Sequence, residues 1–376
     1  MAFSREQICE LASAKLRAAA SQLPSMKALV GLDGFVDEII AVVDKRHGHE
    51  AYDAVPTIER FNAKVAEAIG QSSNYELVVK QMKLGGSGPI MANALASLGM
   101  NVTYIGNLGY PEIHQVFRDF AKKAHVISIG DPGHTDALEF ADGKLMLGKL
   151  TPLHEVTWDN LLARVGEAPL KHMIGQSKLI GMVNWTMLPH MSRIWARMLD
   201  EVIPNIERHQ RKLFIDLNDP EKRTHEDILD AMKLLTRFQD QVDVILGLNL
   251  KESVEIADVL GLPGQSDPEG SIEEVAGAIR EKLHLSCVVI HPRRSAAAAV
   301  EDHSAHFPGP FVVKPKISTG AGDHFNAGFA LGQVLGMSLE ESLCVGVGVS
   351  GYYVRTAISP SAQELADFVA KLPPTQ

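Results

Sequence analysis

The run Ser318-Thr319-Gly320-Ala321-Gly322-Asp323-His324-Phe325-Asn326-Ala327-Gly328 places small residues before an acid, and the acid before an apolar helix expected over 325–335. Small residues let the backbone pass close to a ligand. A helix start leaves N–H groups unpaired, at the positive end of the helix dipole. Together they make a cradle for an anion. An acid beside such a cradle would repel its own ligand, unless it takes a proton from a hydroxyl about to attack a phosphate. A glycine-rich helix cap without a ligand is the alternative.

A second group of acids stands in Gly31-Leu32-Asp33-Gly34-Phe35-Val36-Asp37-Glu38. Acids just past a first strand sit where open α/β sheets bind ligands. Asp33 and Asp37 there can accept hydrogen bonds from sugar hydroxyls; a solvated turn explains them equally. Gly85-Gly86-Ser87-Gly88-Pro89-Ile90 opens a helix of small residues. Ile215-Asp216-Leu217-Asn218-Asp219-Pro220 closes a strand. Gly247-Leu248-Asn249-Leu250-Lys251-Glu252 follows a strand and opens a helix. Asn249 and Glu252 share one helical face. A carboxylate there can order the waters that Mg2+ tends to keep, whereas a capping box accounts for the pair without a ligand.

The elements that must position these residues follow from pattern. Short apolar strands are expected at 27–31, 35–43, 102–106 and 126–129, with a helix at 58–69 and another from 85 to 98. Residues 138–147 read as two strand arms around Asp142-Gly143. Beyond 158, strands at 179–183, 213–217, 244–248 and 288–291 alternate with helices at 192–209, 226–238, 250–260 and 272–283. That alternation is the mark of βαβ units and a mostly parallel sheet. Helices from Asp323 and Ser338 complete a single domain over 1–376. A small discontinuous module is expected from about 35–46 and 136–150.

The chain has 376 residues, 45% of them hydrophobic, and a formal net charge of −10. The acidic balance argues against nucleic acid or an anionic membrane as partner. Cys9, Cys287 and Cys344 have neither disulfide-framework nor zinc spacing, which suits a reducing cytoplasm. Residues 1–26 read as an amphipathic helix without the apolar core of a signal peptide, and no apolar run approaches membrane-spanning length.

On these motifs, over roughly 27–360, the chain resembles the PfkB (ribokinase-like) family of carbohydrate kinases. The 318–328 run is similar to the family's C-terminal signature, in which a Gly-Ala-Gly-Asp turn forms the anion hole and its Asp is the catalytic base. That implies Gly320, Ala321 and Gly322 as anion hole and Asp323 as base. The stretch 85–106 is similar to the first signature, implying sugar contacts at Gly85 and Gly86. Asp37 is the first choice for the sugar-binding Asp and Asp33 the second. The Asp216–Asn218 element implies that Asn218 reaches the nucleotide phosphates, beside Thr319, Gly320 and Gly322. Asn249 and Glu252 match the Asn-x-x-Glu motif that organises Mg2+ through water.

The resemblance implies a three-layer α/β/α sandwich with a mostly parallel central sheet and a small β lid. It implies transfer of the γ-phosphate of ATP to a hydroxyl, expected to be a primary one on a sugar or sugar derivative. A nucleoside kinase, an ADP-dependent sugar kinase on the same fold, and a non-catalytic sugar or nucleotide sensor stay open, as does a homodimer paired through the lid. Departures from the pattern are Ile90, where the family has a sugar-contacting Asn, and His291-Pro292-Arg293-Arg294, where it often has Thr-x-Gly. Asn93, almost a turn later, is no simple replacement. The arginines either pair with phosphates or are surface charges. Ile317 replaces an Asp that helps relatives hold a monovalent cation, implying turnover without potassium. Gly346-Val347-Gly348-Val349-Ser350-Gly351 matches G-x-G-x-x-G outside a βαβ start and reads as helix packing. His47 with His49, and His303 with His306, read as surface loops rather than metal ligands.

Overall fold

The computed structural model describes residues 3–207 and 209–375. Met1 and Ala2 of the expected N-terminal helix, Arg208 of the expected 192–209 helix, and Gln376 lie outside the described residues. Helix α1 (Arg5–Ala19) starts at a Ser4–Gln7 capping box. Then follow β1 (Lys27–Leu32), β2 (Phe35–Arg46), β3 (Tyr52–Ala54), α2 (Ile58–Glu67), β4 (Leu77–Gly85), α3 (Ser87–Leu98) and β5 (Asn101–Gly106). Next come α4 (Arg118–Ala121), β6 (His125–Ser128), β7 (Gly133–Phe140), β8 (Gly143–Lys149), α5 (Trp158–Val165), α6 (Glu167–Gln176) and β9 (Leu179–Val183). After α7 (Met191–Arg197) the chain continues through β10 (Lys212–Asp216), α8 (His225–Gln239), β11 (Asp243–Leu248), α9 (Leu250–Val259) and α10 (Ile272–Leu283). It closes with β12 (Cys287–Ile290), β13 (Ser295–Ala299), β14 (Ser304–Pro308), α11 (Ala321–Val334), α12 (Leu339–Thr356) and α13 (Ala362–Val369).

Nine strands form one sheet in the order β14-β13-β12-β11-β10-β9-β1-β5-β6. Pairing is parallel from β12 through β6, and antiparallel at β12–β13 and β13–β14. Helices on both faces explain the continuous apolar strands. One face packs Leu16, Leu95, Phe329, Val345 and Leu365 from α1, α3, α11, α12 and α13. The other packs Trp158, Ile174, Trp195, Leu235 and Ile279 from α5, α6, α7, α8 and α10. Each such side chain contributes about 2 kcal/mol by leaving water.

The small sheet pairs β2 with β3, β4 and β7, and β7 with β8. Helix α2 covers its outer end, around Ile40, Val42, Leu138 and Phe140. Strands β3 and β4 belong to it besides the two expected segments. The expected helix at 192–209 is shorter. After α7 the backbone passes through a π turn at Met198–Val202 and a 3-10 turn at Ile203–Asn205, where Pro204 cannot continue a helix. Strands β13 and β14 are additions: Ser295–Ala299 is almost all alanine, which carries no strand signal. The 346–351 glycines lie inside α12. Gly346 packs on Phe325, Gly348 on Val369 and Leu365, and Gly351 on Pro310, the helix-packing role expected of them. His47 pairs with Asp53 and His303 with Glu340 at the surface. No described helix is long and apolar enough to cross a membrane, and all three cysteines are free.

Candidate active site

Polar residues stand at the carboxyl ends of five adjacent parallel strands. Asp33 follows β1, Asn184 follows β9, Asp216 ends β10, Asn249 follows β11 and His291 follows β12. This edge of an open α/β sheet is where ligands bind. The starts of α3 and α11 face it.

Asp33 is fully buried. Its carboxylate accepts from the backbone N–H groups of Ser87 and Gly88, at 3.0 and 2.9 Å, and from Asn184 Nδ2 at 2.6 Å. The Tyr104 hydroxyl donates to the Asp33 carbonyl at 2.6 Å and lies 3.3 Å from Oδ1. Burial pushes the acid up to about 6, against these donors. A Cβ on Gly88 would collide with this carboxylate and with Tyr104, so glycine is required for the approach. Asp33 thus caps α3.

Asp37, on β2, points over Gly85, where a Cβ would collide with its carboxylate. It is 8% exposed, and burial raises its pKa, opposed by a hydrogen bond from Thr135 and by the Lys83 charge. Its carboxylate has fewer protein donors than that of Asp33. Gly86 takes φ 94° and starts α3.

Asn218 and Asn184 both adopt φ 62°, a left-handed conformation that asparagine tolerates. Asn218 Nδ2 donates to Asn184 Oδ1 at 3.0 Å, and Asn184 in turn donates to Asp33. A line of amides therefore links β10, β9 and β1. Asn249 and Glu252 form the capping box at the start of α9: Glu252 N–H donates to Asn249 Oδ1 at 3.0 Å and Asn249 N–H to Glu252 Oε2 at 2.9 Å. Glu252 Oε1 accepts the Asp219 N–H at 3.0 Å. Glu252 is 3% exposed, and burial raises its pKa. Asp216 accepts from Asn326 Nδ2 at 2.6 Å. Burial lifts its pKa far above the ordinary value, and the charges of Glu252 and Asp323 add to the lift. These carboxylates concentrate negative charge at one strand edge, and with both Glu252 oxygens already accepting backbone N–H groups a hard dication there would be held through water rather than by direct ligation.

At the other helix start, Gly320 takes φ 88° and Ala321, Gly322 and Asp323 form the first turn of α11. Thr319 turns its carbonyl to the Tyr353 hydroxyl at 3.2 Å. Asp323 is half-buried. Burial pushes its carboxyl up to about 8, the Asp33 charge adds to this, and a hydrogen bond from the Ser87 side chain opposes it. A carboxylate near neutrality suits general-base work. Gly85–Ser87 therefore connects Asp37, Asp33 and Asp323. His291 lies beside Gly322 and against the Phe325 ring at 4.7 Å, with Nε2 buried and unpartnered. Arg294 lies over the Phe311 ring at 4.3 Å. Sequence reasoning passed over Asn184, Ser87 and Asp216. Asn184 follows the apolar strand β9 with no motif around it. Asp216 had a signal, two positions before Asn218.

The sequence model of the prokaryotic ketohexokinase family matches residues 8–372. A ketohexokinase from Haloferax volcanii is 30% identical over 346 residues, 92% of this chain and 91% of its own. A carbohydrate kinase structure from Agrobacterium tumefaciens superposes with a TM-score of 0.62 at 17% identity, covering 93% of this chain and 98% of its own. A ribokinase from Arabidopsis thaliana, solved with ribose and ATP, gives 0.60 at 14% identity over 92% of this chain and 98% of its own. Likeness at these identities shows the shared ribokinase-like fold. The sequence matches reach further, because they run through nearly the whole chain and every strand-end motif described above: the chain belongs to the prokaryotic ketohexokinase family and is a carbohydrate kinase, a phosphotransferase with an alcohol group as acceptor.

Proposed function

We propose that the protein transfers the γ-phosphate of ATP to a primary hydroxyl of a ketohexose, with Asp323 as general base. The observation that supports this is the Asp323 carboxyl, pushed up to about 8 and set in the first turn of α11 beside the glycines of an anion-binding helix start. In this reading Asp37, Gly85 and Gly86 hold the sugar, with Asp33 fixing the α3 backbone behind them. Asn218 and Thr319 lie along the nucleotide. The N–H groups of Gly320, Ala321 and Gly322 hold the transferred phosphoryl oxygens, that of Ala321 on leaving the Ser318 carbonyl it meets at 3.2 Å.

Asp323 takes the hydroxyl proton as the sugar oxygen bonds to the γ-phosphorus and the bond to the β-phosphate oxygen breaks. Mg2+, when bound, neutralises phosphate charge. Asn249 and Glu252 would hold it through water, since both Glu252 oxygens already accept backbone N–H groups. The small sheet acts as a lid that excludes competing water. The same reading joins two copies through that sheet, which exposes Leu77, Val79, Met82, Met146 and Leu147, and places the enzyme in the cytoplasm.

The test is a panel of ketohexoses, aldohexoses and nucleosides, each with ATP or ADP and Mg2+, read by ADP or AMP formation. ADP release dependent on a ketohexose is the expected result. Turnover confined to nucleosides, or AMP from ADP, would overturn the acceptor or the donor respectively.

A further inference from the structure

The residue after the base carries an interaction set that the proposed chemistry does not use. His324 is 1% exposed. Its Nδ1 lies 2.7 Å from the Gly320 carbonyl and its Nε2 2.9 Å from Ser359 Oγ. A carbonyl can only accept, so Nδ1 carries the proton and Nε2 accepts from the Ser359 hydroxyl. Asn93 Nδ2 donates to that hydroxyl at 3.1 Å, and Asn93 Oδ1 accepts from Lys123 Nζ at 3.3 Å. The imidazole stacks on the Tyr353 ring at 3.6 Å and 11°, and the Tyr353 hydroxyl holds the next carbonyl back, that of Thr319. Burial lowers the His324 pKa to about 4, which keeps the neutral tautomer in place near pH 7.

The Gly320 carbonyl also accepts the His324 backbone N–H at 3.1 Å, and the Ala321 N–H in its plane meets the Ser318 carbonyl at 3.2 Å. The two carbonyls flanking the positive-φ bond of Gly320 thus each gain a side-chain donor, from α11 and α12. A peptide plane whose carbonyl is fixed on one side has its N–H fixed on the other. We propose that His324 is the positioning residue of the phosphate turn: its Nδ1–H adds a second donor to the Gly320 carbonyl, and with Tyr353 on the Thr319 carbonyl and Ser359 on the ring it fixes the turn whose Gly320 and Gly322 N–H groups serve the transferred phosphate. This rests on the anion-hole reading of Gly320–Gly322. The clamp acts most when charge develops on the phosphoryl oxygens, so its loss falls on kcat rather than on the sugar KM.

The experiment compares His324→Asn, His324→Gln and His324→Ala, with Asp323→Asn in parallel. The Asn amide reaches the place of Nδ1, whereas the Gln amide reaches the place of Nε2. His324→Ala and His324→Gln are expected to lower kcat about 10²-fold, the scale for a lost or misplaced oxyanion donor, with the sugar KM within about threefold. His324→Asn is expected to recover at least about tenfold of that loss. Should the alanine variant fail to fold, the Asn and Gln pair still reads the hydrogen bond, because both lose the stacked ring and differ in which ring nitrogen the amide replaces. Equal kcat for Asn and Gln, or an alanine variant with wild-type kcat, overturns the proposal. If Asp323→Asn abolishes turnover while the His324 variants do not, only the clamp fails. If Asp323→Asn is also active, the reading of the whole turn fails.

Discussion

Two helix starts meet across the cleft, and the protein treats them in opposite ways. The start of α3 is filled by the protein's own anion, since Asp33 accepts the Ser87 and Gly88 N–H groups. At the start of α11 the Ala321 N–H meets the Ser318 carbonyl at 3.2 Å and the Asp323 carboxyl accepts its own backbone N–H; among the described residues no acid from another element caps it, and its glycine turn is held by His324 and Tyr353. Both ends have the same dipole and the same class of orphan donors. At α3 the anion is built in and fixes the backbone, while the proposed function reserves the glycine turn of α11 for the phosphate of a ligand. The difference also acts on charge. A permanent carboxylate at the α3 end helps lift Asp323, at the α11 end, to about 8.

Emptying the filled end should have the largest effect. Asp33→Ala strands the Ser87 and Gly88 N–H groups and the Asn184 amide at once, with a loss of about 3–5 kcal/mol. Denaturant unfolding measures it; a loss under about 1 kcal/mol would mean that water replaces the carboxylate.

Altering the open end should spare the fold and damage the chemistry. Asp323→Asn is expected to lower kcat at least about 10²-fold while nucleotide binding persists. Its stability effect has the opposite sign to that of Asp33→Ala. The folded carboxyl titrates near 8, above the ordinary value of 3.8. Between those values the folded state keeps a proton that the unfolded chain has released. Asp323 therefore costs stability progressively as pH rises from about 4 to about 8, and by a constant amount above that. The Asn variant should gain melting temperature over wild type at pH 8 more than at pH 5. A pH-independent difference would place the working pKa near that of an ordinary carboxylate. In wild type, kcat/KM should rise with pH as Asp323 ionises.

A third helix start, that of α9, tests a mixed case. Glu252→Gln should raise the half-saturating Mg2+ concentration by about tenfold or more, as loss of an outer-shell partner does. An unchanged Mg2+ titration with a lower melting temperature would leave Glu252 as a capping residue alone. The smallest effect expected concerns potassium. With Ile317 in place of a carboxylate, rates in potassium and in a bulky organic-cation buffer should agree, because hard cations need several oxygens together. Saturable activation by potassium would refute this.

The sequence carried the large sheet and the order of its motifs because parallel strands buried on both faces are unbroken apolar runs, as in Val244 to Leu248. It hid β4, whose residues are mostly exposed or half-buried and alternate poorly. The glycine turns were legible because glycine is chemically conspicuous. The division of labour between Asp33 and Asp37 was not. They stand four positions apart in the chain, and only the fold spends one on α3 while the other faces Gly85. Asn184 stayed silent because its partners, Asp33 and Asn218, lie 151 and 34 residues away.

A row of backbone pairings marks where the small sheet leaves the body. Phe35 pairs with Gly85 on one side and Gly133 on the other, and the Gly133 N–H bonds to the Gly34 carbonyl at 2.8 Å. Were that row an axle, β2 would be a lever arm leaving it. At the usual rise per residue Asp37 stands roughly 7 Å out and Val42 roughly 23 Å out. A turn of about 10° would carry Val42 some three times as far as Asp37, roughly 4 Å against 1 Å. In the proposed function such a tilt would open the rim of the sheet to substrate and leave the Asp37 carboxylate almost where it was.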